Sequence, residues 1–453
     1  MIHLTLAVVI LIAAGWAIAK NYDAKVVLFG AGLILMYCAT AFGFTVTGQS
    51  SGLLLADPFK VIKDLFIRQY SNAGLIILTL FGFAAYMSKI RANDMVIYLM
   101  TKPLSRIKSP YLLVPFVFWA GTLLQIIIPS AASLAVILLA TFYPVLRAAG
   151  MTPLTAAAVI ATTATIVPTP LGGDNVVAAR VLGFDNVMDF VLYHHAPITV
   201  PALFVMGIAH YFWQKFMDKK EKGEPAATAD KTLSARSAPE GVPVWYALFP
   251  VLPLFLVIFF WVFFKSAKLG LVEISFFSFA LAFAAELIRR RSPKAAIADV
   301  ADFFKAMGDG FTKVVVLIVA ASTLVAGLKA MGLIDAISHS VTGVENAKAG
   351  LMLAFSAITG LITFISGSGN AVFYSFIEMI PPIADKAGID PIMIALPMEC
   401  MSNLFRSMSP VAAVVIIVSA SVKVNPLELV KRTWLPLMAG VVTVLALAAI
   451  RYL

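Results

Sequence analysis

The chain has 453 residues, 61% hydrophobic and 13% charged, with a formal net charge of +10. Apolar runs long enough to cross about 30 Å of hydrocarbon recur throughout, so it reads as an all-α polytopic membrane protein and not as a soluble domain. The basic excess sits in a few loops, a cytoplasmic-side bias and no sign of nucleic-acid binding; Cys38 and Cys400 have neither disulfide nor metal-ligand spacing.

The first run, Ile2–Ala19, lacks the basic leader and cleavage site of a signal peptide and reads as a retained helix. A second helix is expected over 26–44 and a mixed loop over 45–72, so that 1–72 form N-terminal scaffold helices. A third helix covers 73–87. Its continuation, 89–108, has basic residues at Lys89, Arg91, Lys102, Arg106 and Lys108 around Met95, Val96, Tyr98, Leu99 and Met100, the pattern of an amphipathic cytoplasmic arm.

Residues 111–146 carry no charge, yet a polar tip at 129–133 leaves only 13 residues before Arg147. Two full crossings need about 40 residues plus a turn, so 111–147 is expected to be a re-entrant hairpin; two tightly joined ordinary helices are the alternative. Next, 152–182 reads as one span broken at Pro168-Thr169-Pro170-Leu171-Gly172-Gly173-Asp174-Asn175. Proline removes a donor and clashes with the preceding turn, while glycine allows non-helical dihedrals, so main-chain groups are exposed there. An acidic exterior loop, 184–195, contains His194 and His195, which read as solvated or interfacial, and a helix follows over 198–216 with His210 near its cytoplasmic end. This closes a first repeat, 73–216.

Residues 217–242 read as a polar cytoplasmic linker. Helices are expected at 244–264 and 271–287, then Arg289, Arg290, Arg291 and Lys294, an arm at 295–309 and a helix at 314–330. The first half's grammar then returns within 243–432. An arm-like stretch lies at 327–344. A second hairpin, 351–386, has its tip at Ser366–Asn370. A second broken span, 392–421, is interrupted at 402–410. A C-terminal helix occupies 433–453. Ser130 to Pro170 is 170 − 130 = 40 residues and Ser368 to Ser407 is 407 − 368 = 39. With the N-terminus outside, most basic loops, including 423–432, fall inside and the two halves face opposite ways; only 45–72 fits poorly. Inverted repeats whose discontinuous helices meet near the midplane are a transporter plan.

The chemistry at the four interruptions suits a small carboxylate. Half-helix N-termini offer free N–H groups and partial positive charge. Hydrogen-bonding groups come from Ser130 and Ser133, from Thr169, Gly172, Gly173 and Asn175, from Ser368, Gly369 and Asn370, and from Ser402, Asn403, Ser407 and Ser409. Arg406 supplies a planar fork for a carboxylate; a structural ion pair with Asp174 or Glu399 is its alternative role. Asp174 and Glu399 are candidates for coupling an ion or a proton, and Asp174 alternatively caps the second half-helix. Glu378, eight residues past the second tip, reads as near the surface. The absence of P-loop, nucleophile-elbow and zinc motifs disfavours an ATP-driven pump and an enzyme, and no cofactor is expected. A secondary carrier of small dicarboxylates is the first reading. Another organic-anion carrier, an anion channel and a cation/proton antiporter built on Asp174 are the others.

The stretches GFAAYMSKIRANDMV (82–96), PTPLGGDNVVAA (168–179), SGSGNAVFYSFIEMIP (366–381) and SNLFRSMSPVAAVV (402–415) resemble the anaerobic C4-dicarboxylate carriers of DcuC type, of the ion-transporter superfamily. The likeness covers nearly the whole chain. It implies a homodimer in the bacterial inner membrane, working by an elevator with a static scaffold and a moving part. It also implies succinate, fumarate, malate or aspartate as substrates, with succinate efflux in fermentation. Sodium-coupled members of that superfamily carry Ser-Asn-Thr at the tips. Here the tips read Ser130-Ala131-Ala132-Ser133 and Gly369-Asn370-Ala371, a departure that counts against Na+ as the coupling ion and leaves H+ coupling or exchange open.

Overall fold

The computed structural model describes residues 2–48, 50–104, 106–107, 109–220, 238–264, 269–336 and 347–453. Most of the expected linker, 221–237, and the end of the arm-like stretch, from 337, lie outside these residues. Among the described residues there is no strand, and ten helices are long and apolar enough to cross a membrane.

Helices α1 (Ile2–Ala19) and α2 (Ala24–Ala41) form an opening pair, with Asp23 capping α2 through its side chain. Next, α3 (Asp57–Gln69), a π-turn (Tyr70–Gly74) and α4 (Leu75–Lys89) make one continuous 33-residue helix. The expected loop at 45–72 is thus corrected: its second half is helical. Pro58 opens the first turn, and Pro58, Val61, Ile62, Leu65 and Gln69 turn inward at helical spacing, while Lys63, Asp64 and Arg68 stay exposed and mask the period. The arm is α5 (Ala92–Leu104), which buries Met95, Val96 and Ile97.

Helices α6 (Pro110–Gln125) and α7 (Ala131–Ala148) form the first hairpin. Then α8 (Pro153–Thr162) and α9 (Gly173–Val181) flank the first break. The short α10 (Val187–Phe190) runs through a π-turn (Val191–His195) into α11 (Ala196–Lys220). Residues 217–220 therefore continue a helix and do not open a linker.

After a 3-10 turn (Val244–Leu248) come α12 (Leu252–Phe263) and α13 (Leu271–Arg290). The triple-arginine run does not simply face solvent: Arg289 and Arg290 both hold Glu286, which is fully buried. Helix α14 (Pro293–Gly310), a π-turn (Phe311–Val315) and α15 (Val316–Ala330) form a second long helix of 38 residues with its π-turn mid-run. Then α16 (Ala347–Ser366), α17 (Gly369–Ile377) and α18 (Ile380–Ala387) make the second hairpin and its exit. Helices α19 (Ile392–Met408) and α20 (Ala413–Val422) flank the second break, and α21 (Pro426–Tyr452) ends the chain.

The order long helix with a π-turn, hairpin, broken span, final helix occurs twice. Tyr70 and Phe311 begin matching π-turns 311 − 70 = 241 residues apart, and Gly173 and Ala413 begin matching half-helices 413 − 173 = 240 apart. The two π-turns pack together, a Cβ built on Gly74 meeting the Val315 side chain at 3.4 Å. Helices α2 and α15 approach to backbone contact: a Cβ on Gly32 would lie 2.6 Å from the Thr323 carbonyl carbon, and one on Gly327 only 2.7 Å from Leu35 Cβ.

Both broken spans run through the interior. All residues of α8 from Thr155 to Thr162 are buried, as are those of α19 from Ile392 to Leu404. Protein surrounds the freed backbone groups of the first break, 163–172, the condition under which a membrane tolerates them, whereas the second break leaves Val411 exposed.

Candidate substrate cavity

The first break, 163–172, has its own hydrogen bonds. Asn175 Nδ2 donates to the Val167 and Thr169 carbonyls at 3.0 and 2.8 Å, Leu171 N donates to Thr169 Oγ1 at 3.1 Å, and Thr122 Oγ1 donates to the Thr163 carbonyl at 3.2 Å. Thr169 and Asn175 therefore close the loop on itself. Gly172 and Gly173 are tight: an added Cβ would meet Asp174 Oδ1 at 2.9 Å and the Tyr374 hydroxyl at 3.3 Å respectively.

The second break is shorter than the sequence suggests. Ser402, Asn403, Arg406 and Ser407 lie on the last turns of α19, and the chain leaves the helix only at 409–412. The expected interruption at 402–410 is corrected accordingly. Ser402 and Asn403 satisfy themselves within the helix by donating to the Glu399 carbonyl at 2.7 and 3.4 Å, so polarity alone does not unwind it; Pro410 does.

The two hairpin tips differ in how they use their serines. Ser130 caps α7, its hydroxyl accepting from Ser133 N at 3.3 Å. Ser368 occupies the equivalent place before α17 but makes no side-chain cap bond. Gly367 takes φ +72°, which an L side chain rarely adopts, and an added Cβ there would lie 2.8 Å from the Ala412 backbone. Gly369 is closer still, with an added Cβ 2.2 Å from the Ser402 carbonyl oxygen, so the tip seats directly on α19.

One cavity of about 630 Å³ joins these parts. Ser130, Ser133, Ser368, Asn370 and Arg406 all line it, together with Tyr374. Its opposite wall belongs to the long helices, through Ala84, Ala85 and Ser88 of α4 and Leu317 of α15. Lys25 and Lys313 also contribute, each paired with a nearby aspartate at 3.0 Å. Arg406 Nη2 donates to the Ala164 carbonyl at 2.7 Å and Nη1 to Asn370 Oδ1 at 3.2 Å, so one guanidinium ties the first break to the second tip. Its Nε has no hydrogen-bond partner, and among the described residues no carboxylate, Asp174 and Glu399 included, is within ion-pairing distance. A cation on the wall of a polar cavity, unmatched by protein charge, is suited to an anion.

The other expected residues stand behind this cavity. Asp174, in the first turn of α9, receives Asn403 Nδ2 on Oδ2 at 2.8 Å and the Asn175 N–H on Oδ1 at 3.1 Å. Ser407 and Ser409 are fully buried, and their hydroxyls have no partner among the described residues. Glu399 is 1% exposed, and His195 Nε2 lies 3.6 Å from its Oε1.

Four placements were not legible in the chain. His195 is buried in the π-turn before α11, which corrects the exterior-loop reading; no sequence motif marks it. His210 is fully buried and bonds Thr162 Oγ1 at 2.9 Å. Glu378 is no surface residue: Gln69 Nε2 donates to its Oε1 at 2.8 Å and to Ser322 Oγ at 2.9 Å, joining the hairpin exit to both long helices. Arg432, assigned to an inside basic loop, is 1% exposed and pairs with Asp218 at 2.7 Å.

Membrane-spanning helices, paired hairpins and a polar cavity at their tips define a multi-pass carrier-type membrane protein. The chain belongs to the C4-dicarboxylate anaerobic carrier family, DcuC, whose description it matches over residues 2–453. It is 35% identical over 450 residues to the anaerobic C4-dicarboxylate transporter DcuC of Escherichia coli K12, covering 98% of this chain and 95% of that protein. It is 34% identical to the probable DcuC of Vibrio cholerae, covering 98% and 97%. A putative uncharacterized transporter of Haemophilus influenzae is 31% identical over 225 residues, 48% of this chain and 77% of that one. These are carriers rather than enzymes, and the chain is a multi-pass inner-membrane protein.

Proposed function

We propose that the chain is a secondary carrier of C4-dicarboxylates, succinate, fumarate, malate and aspartate among them, working by exchange or by ion-coupled transport and including succinate efflux. One observation carries this reading: Arg406 and both hairpin tips line a single polar cavity. Arg406 takes one carboxylate by its fork, and Ser368, Asn370, Ser130 and Ser133 share the rest with the N-termini of α7 and α17. Asp174 and Glu399 serve coupling rather than binding, as their position behind the cavity supports. The recurring element order supports inverted repeats, 73–216 and 243–432. A cavity bounded on one side by hairpin tips and on the other by long helices supports an elevator, in a homodimer, in which the tips move against the scaffold. Lys25, Ser88 and Asn93 among its lining belong to segments that the charge bias puts inside, so this is the inward-facing state.

Counterflow of labelled succinate into proteoliposomes loaded with unlabelled succinate tests it. Saturable exchange competed by fumarate and malate is expected. Proton-for-cation exchange with no dicarboxylate flux would establish the antiporter instead.

A further inference from the structure

Glu399 and His195 form a buried pair that binding of a dicarboxylate does not by itself require. Glu399 is 1% and His195 2% exposed, and Glu399 Oε2 has no hydrogen-bond partner among the described residues. Thr199 Oγ1 lies 2.9 Å from the His195 carbonyl and 3.1 Å from His195 Nδ1. With the hydroxyl proton on the carbonyl, Nδ1 carries hydrogen and donates to the hydroxyl oxygen. Nε2, the atom 3.6 Å from Glu399 Oε1, is then either a lone-pair acceptor or the second N–H of an imidazolium.

Both forms hold the same count. A protonated carboxyl facing a neutral imidazole has one exchangeable proton between the two groups, and so does a carboxylate facing an imidazolium. Removing it would leave a bare carboxylate in the core, at a cost of several kcal/mol.

Among the described residues the charged and titratable groups facing the pair are few: Asp174 on α9, Tyr374 on α17 and Cys400 on α19, with Arg406 next to Asp174 and Tyr374; the α16 helix from 349 to 366 contributes none. His194, next in sequence, is engaged elsewhere, with Tyr452 Oη at 3.0 Å. Glu399, Asn403 and Arg406 fall on one face of α19 at i, i+4 and i+7. Asn403 Nδ2 joins the Glu399 carbonyl to Asp174 Oδ2. Asn403 therefore ties Asp174 to the Glu399 main chain, and a deprotonated pair would set the Glu399 charge beside that of Asp174, behind a cavity that is to receive an anion.

From this geometry we infer that Glu399 and His195 together bind one proton, one layer behind the cavity, and that loading this site favours anion binding at Arg406. The inference rests on the proposed carrier function and adds His195 to it. The sign follows: the proton is held at low pH, so anion affinity falls as pH rises through the pair's titration, by about tenfold per pH unit for one linked proton.

The test uses the full chain in liposomes. In weakly buffered medium, binding of succinate is expected to withdraw protons from solution, read with a pH dye. That uptake should be lost in Glu399→Gln and in His195→Gln, and the double variant should lose no more than either alone. Proton uptake that persists in Glu399→Gln overturns the inference, as does loss in one variant but not in the other. Infrared difference spectra between acid and alkaline buffer read the site without substrate. They should show one protonation whose carboxyl and imidazole bands both change in His195→Gln; an ionised Glu399 beside a neutral His195 at all pH values overturns the inference. Should Glu399→Gln fail to fold, Glu399→Asp keeps a carboxyl, and its displaced carboxyl band makes the same comparison. Failure to bind succinate would refute the proposed carrier function, and the infrared result would still decide the pair.

Discussion

Arg432 Nη1 lies 2.7 Å from Asp218 Oδ1, with both side chains buried, and Thr152 and Thr155 donate to the same carboxylate at 3.0 and 2.9 Å. Gln214 donates to the Arg432 carbonyl at 2.8 Å. This cluster joins the start of the first broken span to the end of α11 and the start of α21. A charge left alone in such a site is far costlier than the pair is stabilising.

Asp218→Asn and Arg432→Gln should therefore each cost about 3–5 kcal/mol. The thermal midpoint of the detergent-solubilised protein measures this. Asp218→Leu combined with Arg432→Met, which removes both charges, should recover most of the loss; a double variant as unstable as the worse single one would refute the account.

Arg406→Ala removes two charged donors and the cavity's cation. At about 1.5–3 kcal/mol per hydrogen bond to a charged group, succinate KM in counterflow should rise about 10–100-fold. Arg406→Lys should rescue little, because an ammonium cannot reach Ala164, Asn370 and a carboxylate as a planar fork does. Unchanged exchange in Arg406→Ala would remove it from the site.

Gly367→Ala and Gly369→Ala should damage transport without removing any polar side chain. The first forces φ +72° on a Cβ, and the second drives a Cβ to 2.2 Å from the Ser402 carbonyl oxygen. Strain of about 1–3 kcal/mol is expected, lifting the second tip from α19. A lowered thermal midpoint with a fall in the exchange rate is the measurable result, and Gly308→Ala, where nothing lies within 4 Å, is the control.

Gly32→Val and Gly327→Val should pry α2 from α15. Their backbones meet because both residues lack side chains, and an added Cβ lies 2.6–2.7 Å from the facing helix. Yield of folded protein on size-exclusion chromatography should drop for both, whereas Gly30→Val, with open space, should behave as the parent.

The breaks were legible because proline and glycine act locally. Pro168, Pro170, Gly172 and Gly173 stop a helix wherever it is placed, and the tips at Ser130 and Ser368 are where the structure turns. The interval 402–410 looks wider in the sequence than it is because Ser, Asn and Arg resemble helix breakers in an apolar run, yet Ser402, Asn403 and Arg406 find partners within α19 or across from it. The helix at 57–69 is hidden in the sequence for the opposite reason: its charged face masks an amphipathic period.

Local chemistry along the chain determines the membrane class, the paired hairpins and breaks, and Arg406 as a lone cation inside a span. These follow from hydropathy, lost backbone donors and the cost of a buried charge, all of which act within a few residues. Tertiary structure alone decides that His195 faces Glu399, that Asn403 joins Asp174, and that Arg432 is a core residue. Each of those pairs brings together segments distant in sequence, and what fixes their chemistry is burial by other helices, which no run of neighbouring residues encodes.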